Sequence, residues 1–371
     1  MFANLHDISV NFGEVRALDS VSLDISPNQI HAIVGENGAG KSTLMSVLFG
    51  LNVNYGGQIF IDDTHKEWAT PSDAIIAGIG MVHQHFMLIE SMTVLENIIL
   101  GSEPNKYLGF LDFEFAEEKL SNLLKTYNFS INLNQTVNEL SVGQRQMVEI
   151  LKTLYRSAEL IILDEPTAVL TPAERLDLFT SLQDFKNAGK SIIFITHKID
   201  EVIANADHVS VMRAGKLISS LPIDSTSQAQ ISDEIVGLSK TKSISRNKNK
   251  AGSVKLHLSN LDIFGMPQVG NAYNLEVKAN EIVGIAGVAG NGQSELVEAI
   301  IGLRSSKSGS IEICSKDVTG ADISTRRDAG ICYIPEDRQK RGLALGAKLS
   351  ENASISSLIS KAVTKGPVVW K

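Results

Sequence analysis

Between Gly35 and Thr43 the chain reads GENGAGKST, a G-x-x-x-x-G-K-[ST] spacing that follows an apolar run and opens a helical one. Glycines at those positions let successive backbone N–H groups turn inward on a polyphosphate, and the helix amino terminus adds its dipole. Lys41 then reaches the outer phosphates, and Ser42 offers a hydroxyl to Mg2+. The bland alternative is a chance glycine-rich turn, and the strand-then-helix context argues against it. A second element is LIILDEP, where an apolar strand delivers Asp164 and Glu165 at its carboxyl end, the edge at which open α/β sheets bind ligands. Asp164 can hold Mg2+, directly or through water, and Glu165, pointing elsewhere, can polarise an attacking water. Alone, such a pair is as readily a turn or a helix cap; the loop upstream gives it its chemistry.

These groups need a rigid frame, and the runs around them supply one. IHAIV (30–34), LIIL (160–163) and SIIFI (191–195) are continuously apolar, as strands of a sheet covered on both faces must be. Helical periodicity follows Lys41, Pro172 and Lys198, giving the βα alternation of an α/β fold with a largely parallel sheet. Residues 93–156 read as mostly helical, a subdomain beside the sheet.

The frame is repeated. NQIHAIVGENGAG (28–40) realigns with NEIVGIAGVAGNG (280–292) at a separation of 252 residues. The same register sets Gly57 and Ile59 on Gly309 and Ile311, Gly78 on Gly330 and Gln84 on Glu336; Glu96 and Asn97 meet Glu351 and Asn352 at 255. Two copies of one domain are therefore expected, 1–239 and 253–371, joined by a basic, solvated linker over 240–252. A second copy as long as the first would run well past Lys371, so about half of it is expected to be absent.

Composition sets outer bounds. A chain of 371 residues, 43% apolar and 20% charged, can bury the cores of two or more domains. A net charge of −8 and a pI near 5.6 argue against a surface built for nucleic acid, so any nucleotide must be held locally. MFANLHDISVNF has no apolar run of signal-peptide length and no stretch reaches a membrane span, so neither export nor bilayer crossing is expected. Cys314 and Cys332 form no CxxC pair; a role in core packing in a reducing cytosol is expected.

LSVGQ (140–144) opens the amphipathic run RQMVEILKTLYR, and Ser141 reads by itself as the helix N-cap. With the phosphate loop before it and LIILDEP after it, however, the chain resembles the ABC ATPase family, whose signature sequence is LSGGQ. The resemblance covers the whole chain. It implies an α/β P-loop NTPase fold with a helical subdomain, duplicated in tandem, the second copy incomplete. It further implies ATP and Mg2+ at copy one, with Gly35, Asn37, Gly38, Gly40, Lys41, Ser42 and Thr43 on the phosphates and Phe12 against adenine. Ser42, Gln84 and Asp164 match the metal positions. Glu165, His197 and Gln84 match the catalytic ones: the water-polarising carboxylate, the switch histidine on the γ-phosphate, and the glutamine that senses Mg2+ and couples to the membrane subunit. Ser141, Gly143 and Gln144 match the signature, which in this family closes on the ATP of the facing domain. Without the family, Phe12 reads as core, His197 as a strand-end histidine, and His83 and His85 as partners of a turn rather than metal ligands.

Two departures stand out. TAVLT places Thr171 where the family usually reads SALD, so the aspartate that talks across the dimer is missing. Copy two places Gln293 where copy one has Lys41, which exchanges a charge-assisted phosphate contact for a neutral one at a cost of about 1.5–3 kcal/mol. Glu336 in place of the loop glutamine points the same way. This pattern, with TAVLTP and YIPEDR, looks like the ATP-binding subunit of importers for simple sugars and nucleosides, and MVHQHFMLIESMTVLENIILG looks closer to the nucleoside branch. Implied are integral membrane permease subunits as partners, a substrate-binding protein acting through them, and a peripheral place on the cytoplasmic face of the membrane. No nucleic-acid partner is expected. The alternatives are a non-hydrolysing truncated remnant and a soluble ABC ATPase outside transport, although neither a long charged linker nor a coiled-coil split is present. Copy one lacks a second signature to face, so weak ATPase activity is expected of a monomer, unless two chains pair as a homodimer through the first domain.

Overall fold

The computed structural model describes the chain except residues 1, 85, 105–109, 128, 238–249, 265–271, 288–290, 337–340, 360–363, 366–367 and 370–371. His85, most of the expected linker, residues 288–290 of the second loop and the last two residues of YIPEDR thus lie outside the described residues. The chain divides into two compact units, Met1–Lys242 and Ser243–Lys371.

The first unit begins with β1 (Ala3–Phe12), β2 (Val15–Ile25), β3 (Ile30–Val34), α1 (Lys41–Leu48), β4 (Gly56–Ile61), β5 (Thr64–Lys66), α2 (Pro71–Ile76) and β6 (Ile79–Val82). Three helices follow, α3 (Val94–Ile99), α4 (Phe113–Thr126) and α5 (Val142–Tyr155). Then come β7 (Leu160–Asp164), α6 (Pro172–Asn187), β8 (Ser191–Thr196), α7 (Ile199–Asn205), β9 (His208–Arg213), β10 (Lys216–Pro222) and α8 (Gln228–Val236). Six of the strands form one sheet in the order β10-β9-β3-β8-β7-β6, parallel except for β10.

Why these runs are apolar throughout is visible in where alternate residues go. Ile33 of β3, Ile193 and Ile195 of β8, and Leu160 and Ile162 of β7 enter one core, with Leu44, Met45 and Leu48 of α1. Their neighbours Ile30, Ala32, Val34, Ile192, Phe194, Ile161 and Leu163 enter a second core on the other face, with Leu178, Phe179, Leu182 and Phe185 of α6. A strand with period-2 side chains and no solvent face has no place for a polar alternation. The helical stretch expected over 93–156 is present, packed through Leu95, Ile98, Leu120, Val148 and Leu151.

Against the first core lies a four-stranded antiparallel sheet, β2-β1-β4-β5. The second unit repeats it: β11 (Val254–Ile263), β12 (Tyr273–Lys278), α9 (Gln293–Ile301), β13 (Ser306–Ile313), β14 (Lys316–Asp317), α10 (Ile323–Asp328) and α11 (Leu349–Ile359), with sheet order β12-β11-β13-β14. The repeated glycines mark the repeated geometry. Gly57 (φ +103°) and Gly309 (φ +89°) each sit where a Cβ would strike the backbone of a bulge, at His6–Asp7 in one unit and at Asn260 in the other.

Two expectations fail in the second unit. Residues 281–287, the counterpart of β3, form no strand, and Ile282 is 100% exposed where Ile30 is fully buried. In the first unit β3 is clamped between β8 and β9, and among the described residues of the second no strand pairs with this segment. The cysteines are not core residues either; both are exposed. Cys314 (φ +49°) and Ser315 (φ +64°) make the two-residue turn between β13 and β14, which by its geometry faces outward, and Cys332 lies in the counterpart of β6, which also forms no strand. Among the described residues no helix is long and apolar enough to cross a membrane.

Candidate functional site

Parallel strands in register bring their carboxyl ends to one edge. Val34 of β3 pairs with Thr196 of β8, Asp164 of β7 with Ile195, and Val82 of β6 with Leu163. The loops that follow these four strands carry Gly35–Thr43, His197, Glu165 and Gln84, which is why residues more than 150 positions apart share a site.

The Gly35–Thr43 loop runs straight into α1. Gly40 is its N-cap and offers no side-chain bond, so the first N–H groups of the helix keep their donors for an anion. Lys41 arches back over the loop, its Nζ donating to the carbonyls of Gly35 (2.8 Å) and Glu36 (2.9 Å). It is 6% exposed; burial pushes its ammonium down, while the charges of Glu165 and Asp164 push it up. The start of β2 closes over the other side, with the Ala17 carbonyl against Gly40. Phe12 ends β1 on the same hairpin and is 57% exposed, which removes the core reading and leaves its ring free to stack.

The Ser42 hydroxyl hydrogen-bonds the Asp164 carboxylate. Burial, chiefly, and the neighbouring Glu165 push Asp164 up; the Ser42 bond and the charges of Lys41 and His83 oppose them. A hydroxyl and a half-buried carboxylate held together, with an amide oxygen available from Gln84, are hard oxygen donors that suit Mg2+. Glu165 follows in the left-handed region at φ +48°, a strained setting for a side chain of its size, held by its N–H bond to the Ile195 carbonyl. Gln84 Nε2 donates to Glu165 Oε2 at 2.9 Å, and His197 Nδ1 lies 3.2 Å from Glu165 Oε1. His83 is half-buried, edge-on to Phe49 at 6.3 Å between ring centres. It also lines a cavity of about 210 Å³ together with Met87, Glu149, Lys152 and Arg156, just beside Gln84.

LSVGQ sits at the start of α5. Ser141 is the N-cap, and with Gln144 it completes a capping box: Ser141 N donates to Gln144 Oε1 (2.9 Å), Gln144 N to Ser141 Oγ (3.2 Å). The N-cap role read for Ser141 is thus observed. Gly143 is buried, its N–H donating to Glu174. Thr171, the departure from the family pattern noted in the sequence, caps α6 through a second box with Glu174.

Sequence reasoning missed a buried acid. Glu201 on α7, 4% exposed, accepts from the Thr167 hydroxyl at 2.8 and 2.9 Å and pairs with Lys198 (3.3 Å) and Arg175 (3.4 Å). It ties the segment after Glu165 to the segment after His197. Its only signal was an acid one helical turn past His197. Glu174 was more legible, since T-x-x-E before a helical run is a capping signature.

A family model described as "ABC transporter" matches residues 18–168 and 271–364. The nucleoside import ATP-binding protein NupA of Lactococcus lactis subsp. cremoris (strain MG1363) is 41% identical over 362 residues, 97% of this chain and 71% of that one. The glucose import ATP-binding protein TsgD13 of Haloferax volcanii is 40% identical, covering 95% of this chain and 70% of that one. Among solved structures, an ATP-binding cassette determined as a dimer in a post-hydrolysis state with ADP and Pi aligns with a TM-score of 0.51 and 26% identity, over 60% of this chain and 98% of that one.

Proposed function

The chain belongs to the ABC transporter ATP-binding family, and from that premise we propose that its first unit binds and hydrolyses Mg·ATP to drive import of a simple sugar or nucleoside through a membrane permease. The observation that carries the assignment is the meeting of Gln84, Glu165 and His197, from the ends of three different strands, on one carboxylate. In this reading the N–H groups of the Gly35–Thr43 loop, Asn37 and Gly38 included, cradle the phosphates. Lys41 exchanges its two carbonyl partners for phosphate oxygens, and Phe12 stacks on the base. Ser42, Asp164 and Gln84 hold Mg2+, which when bound neutralises phosphate charge. Glu165 takes the proton of the attacking water, and His197 donates to the γ-phosphate, so that the bond each now makes to the other is broken when substrate arrives.

The second unit supports a weaker site. Gln293 lies against Gly287 much as Lys41 lies against Gly35, but brings no charge. The cavity beside Gln84 is the place for the permease, since a body seated against His83 and Met87 moves the loop that holds Glu165. The protein then works as a peripheral subunit on the cytoplasmic face of the membrane, receiving solute through a substrate-binding protein, and two chains can pair through their first units.

Lys41→Ala tests the site. ATP affinity measured by titration should fall by more than about a hundredfold with the fold intact. Binding as tight as the parent's would remove the loop from the reaction. Turnover with and without a co-expressed permease then separates transport from a soluble role.

A further inference from the structure

Helix α5 begins with two donors that its own backbone cannot satisfy, the Ser141 hydroxyl and the Gly143 N–H. Both are aimed at a single atom. Glu174 Oε1 accepts from Gly143 N at 3.1 Å and from Ser141 Oγ at 3.3 Å. The other oxygen of the same carboxylate, Oε2, accepts the Thr171 N–H at 3.0 Å and the Thr171 hydroxyl at 2.9 Å. A Cβ on Gly143 would fall 2.5 Å from Glu174 Oε1, so the carboxylate is packed onto the helix start in a space that only glycine leaves open. Hydrogen bonds from Thr171, then those from Gly143 and Ser141, hold this carboxyl below the usual range.

The geometry points to Glu174 as a stand-in anion: a positioning residue that occupies the phosphate-accepting donors of α5 and gives them up when the γ-phosphate of ATP held by a facing cassette arrives. The inference rests on the reading that ATP closes onto Ser141 and Gly143. Two anions cannot share the same two donors, so the incoming phosphate must turn the carboxylate away. Turning it breaks the bonds by which Oε1 bridges α5 and α6, and leaves those from Thr171 to hold Glu174. Thr171 occupies the position where related cassettes carry an aspartate, and this bridge gives closure a different route from the signature to the segment that follows Glu165.

The test uses the full chain with Glu165→Gln, so that ATP persists, and adds Glu174→Gln. Glutamine keeps one oxygen to accept from Thr171 in the capping box, while it loses the charge and replaces the other oxygen by an amide donor that cannot accept from Gly143 N–H or Ser141 Oγ. Two quantities are read: the affinity of a fluorescent ATP analogue for the monomer, and the ATP concentration at half-maximal association by sedimentation. Glu174→Gln should lower the association midpoint by about tenfold, the worth of one charge-assisted hydrogen bond, and leave analogue affinity unchanged. Glu174→Asp, one methylene too short to span both partners, should lower it in the same direction, and decides the matter if the glutamine variant misfolds. An unchanged or higher midpoint, or no association in any variant that binds the analogue, overturns the inference. Failure of the parent to bind the analogue would instead overturn the assignment of the ATP site.

Discussion

Acid should unfold the first unit through His31. This histidine sits in the middle of β3, 1% exposed, with Nε2 2.8 Å from Ser210 Oγ on β9 and its ring 4.7 Å from that of His208. Ser210 Oγ meets Ser220 Oγ on β10 at 2.8 Å, and His208 Nε2 lies 3.0 Å from the same hydroxyl, so a closed chain of four polar groups crosses three strands. Burial first, and the charge of His208 second, lower the His31 pKa from 6.5 to about 3. With the folded value below the unfolded one, the unfolded chain takes up the proton first. The contribution to stability is therefore intact above pH 6.5 and is lost as pH falls toward 3. At pH 5 the unfolded ring is protonated across about 1.5 pKa units while the folded ring is not, which amounts to about 2 kcal/mol. Urea unfolding followed by Trp68, a buried core residue, with Trp370→Phe in every variant, measures it at pH 7.5 and pH 5. His31→Phe should shrink the difference between the two pH values by about 2 kcal/mol, whatever its effect at either one. If parent and variant lose the same stability between those pH values, His31 is not held neutral and the burial argument fails.

Glu165→Gln should bind ATP as the parent does and turn it over about a thousandfold more slowly, measured by single-turnover hydrolysis, because it changes the group that takes the proton and leaves Lys41 and the loop in place; equal loss of binding would make Glu165 structural. If two chains pair through their first units, specific ATPase activity should fall on dilution of the purified chain and vanish in Ser141→Arg, whereas a rate per molecule constant under dilution would remove the pairing.

The strands at the centre of the site were legible because each is apolar at nearly every position, and Ile30–Val34 forms as expected. Their ends were set by the residues that had to leave the sheet. Residues 282–286 carry the same apolar pattern and form no strand, because a pattern states what a strand could bury and not whether neighbours come to cover it. Lys41, Asp164 and Glu165 could be named from motifs whose spacing is local, and Phe12 and His197 only through the family resemblance. The bond from Gln84 to Glu165 spans 81 residues and that from Ser141 to Glu174 spans 33; neither has a local signature, since both follow from which strands and helices become neighbours. His31 and Ser210 carry no motif at all. Each is a polar residue in an apolar strand, and only their pairing across β3 and β9 explains why both are tolerated there.

The order of strands in the parallel sheet also fixes when the site can exist during synthesis. The loop at Gly35 is made early, but β3 is flanked by β8 and β9, with Ile30 paired to Ile192 and His31 to His208. The antiparallel pair β1–β2 can zip as soon as its hairpin leaves the ribosome, because its contacts are near in sequence. The phosphate loop, by contrast, has no rigid base until the chain has been made through Arg213. At about 5–20 residues per second that interval lasts on the order of ten seconds or more, during which Ile30–Val34 is an uncovered apolar edge. A nascent chain arrested before β9 should therefore be the form that chaperones hold, and nucleotide should begin to protect it only after that strand has emerged.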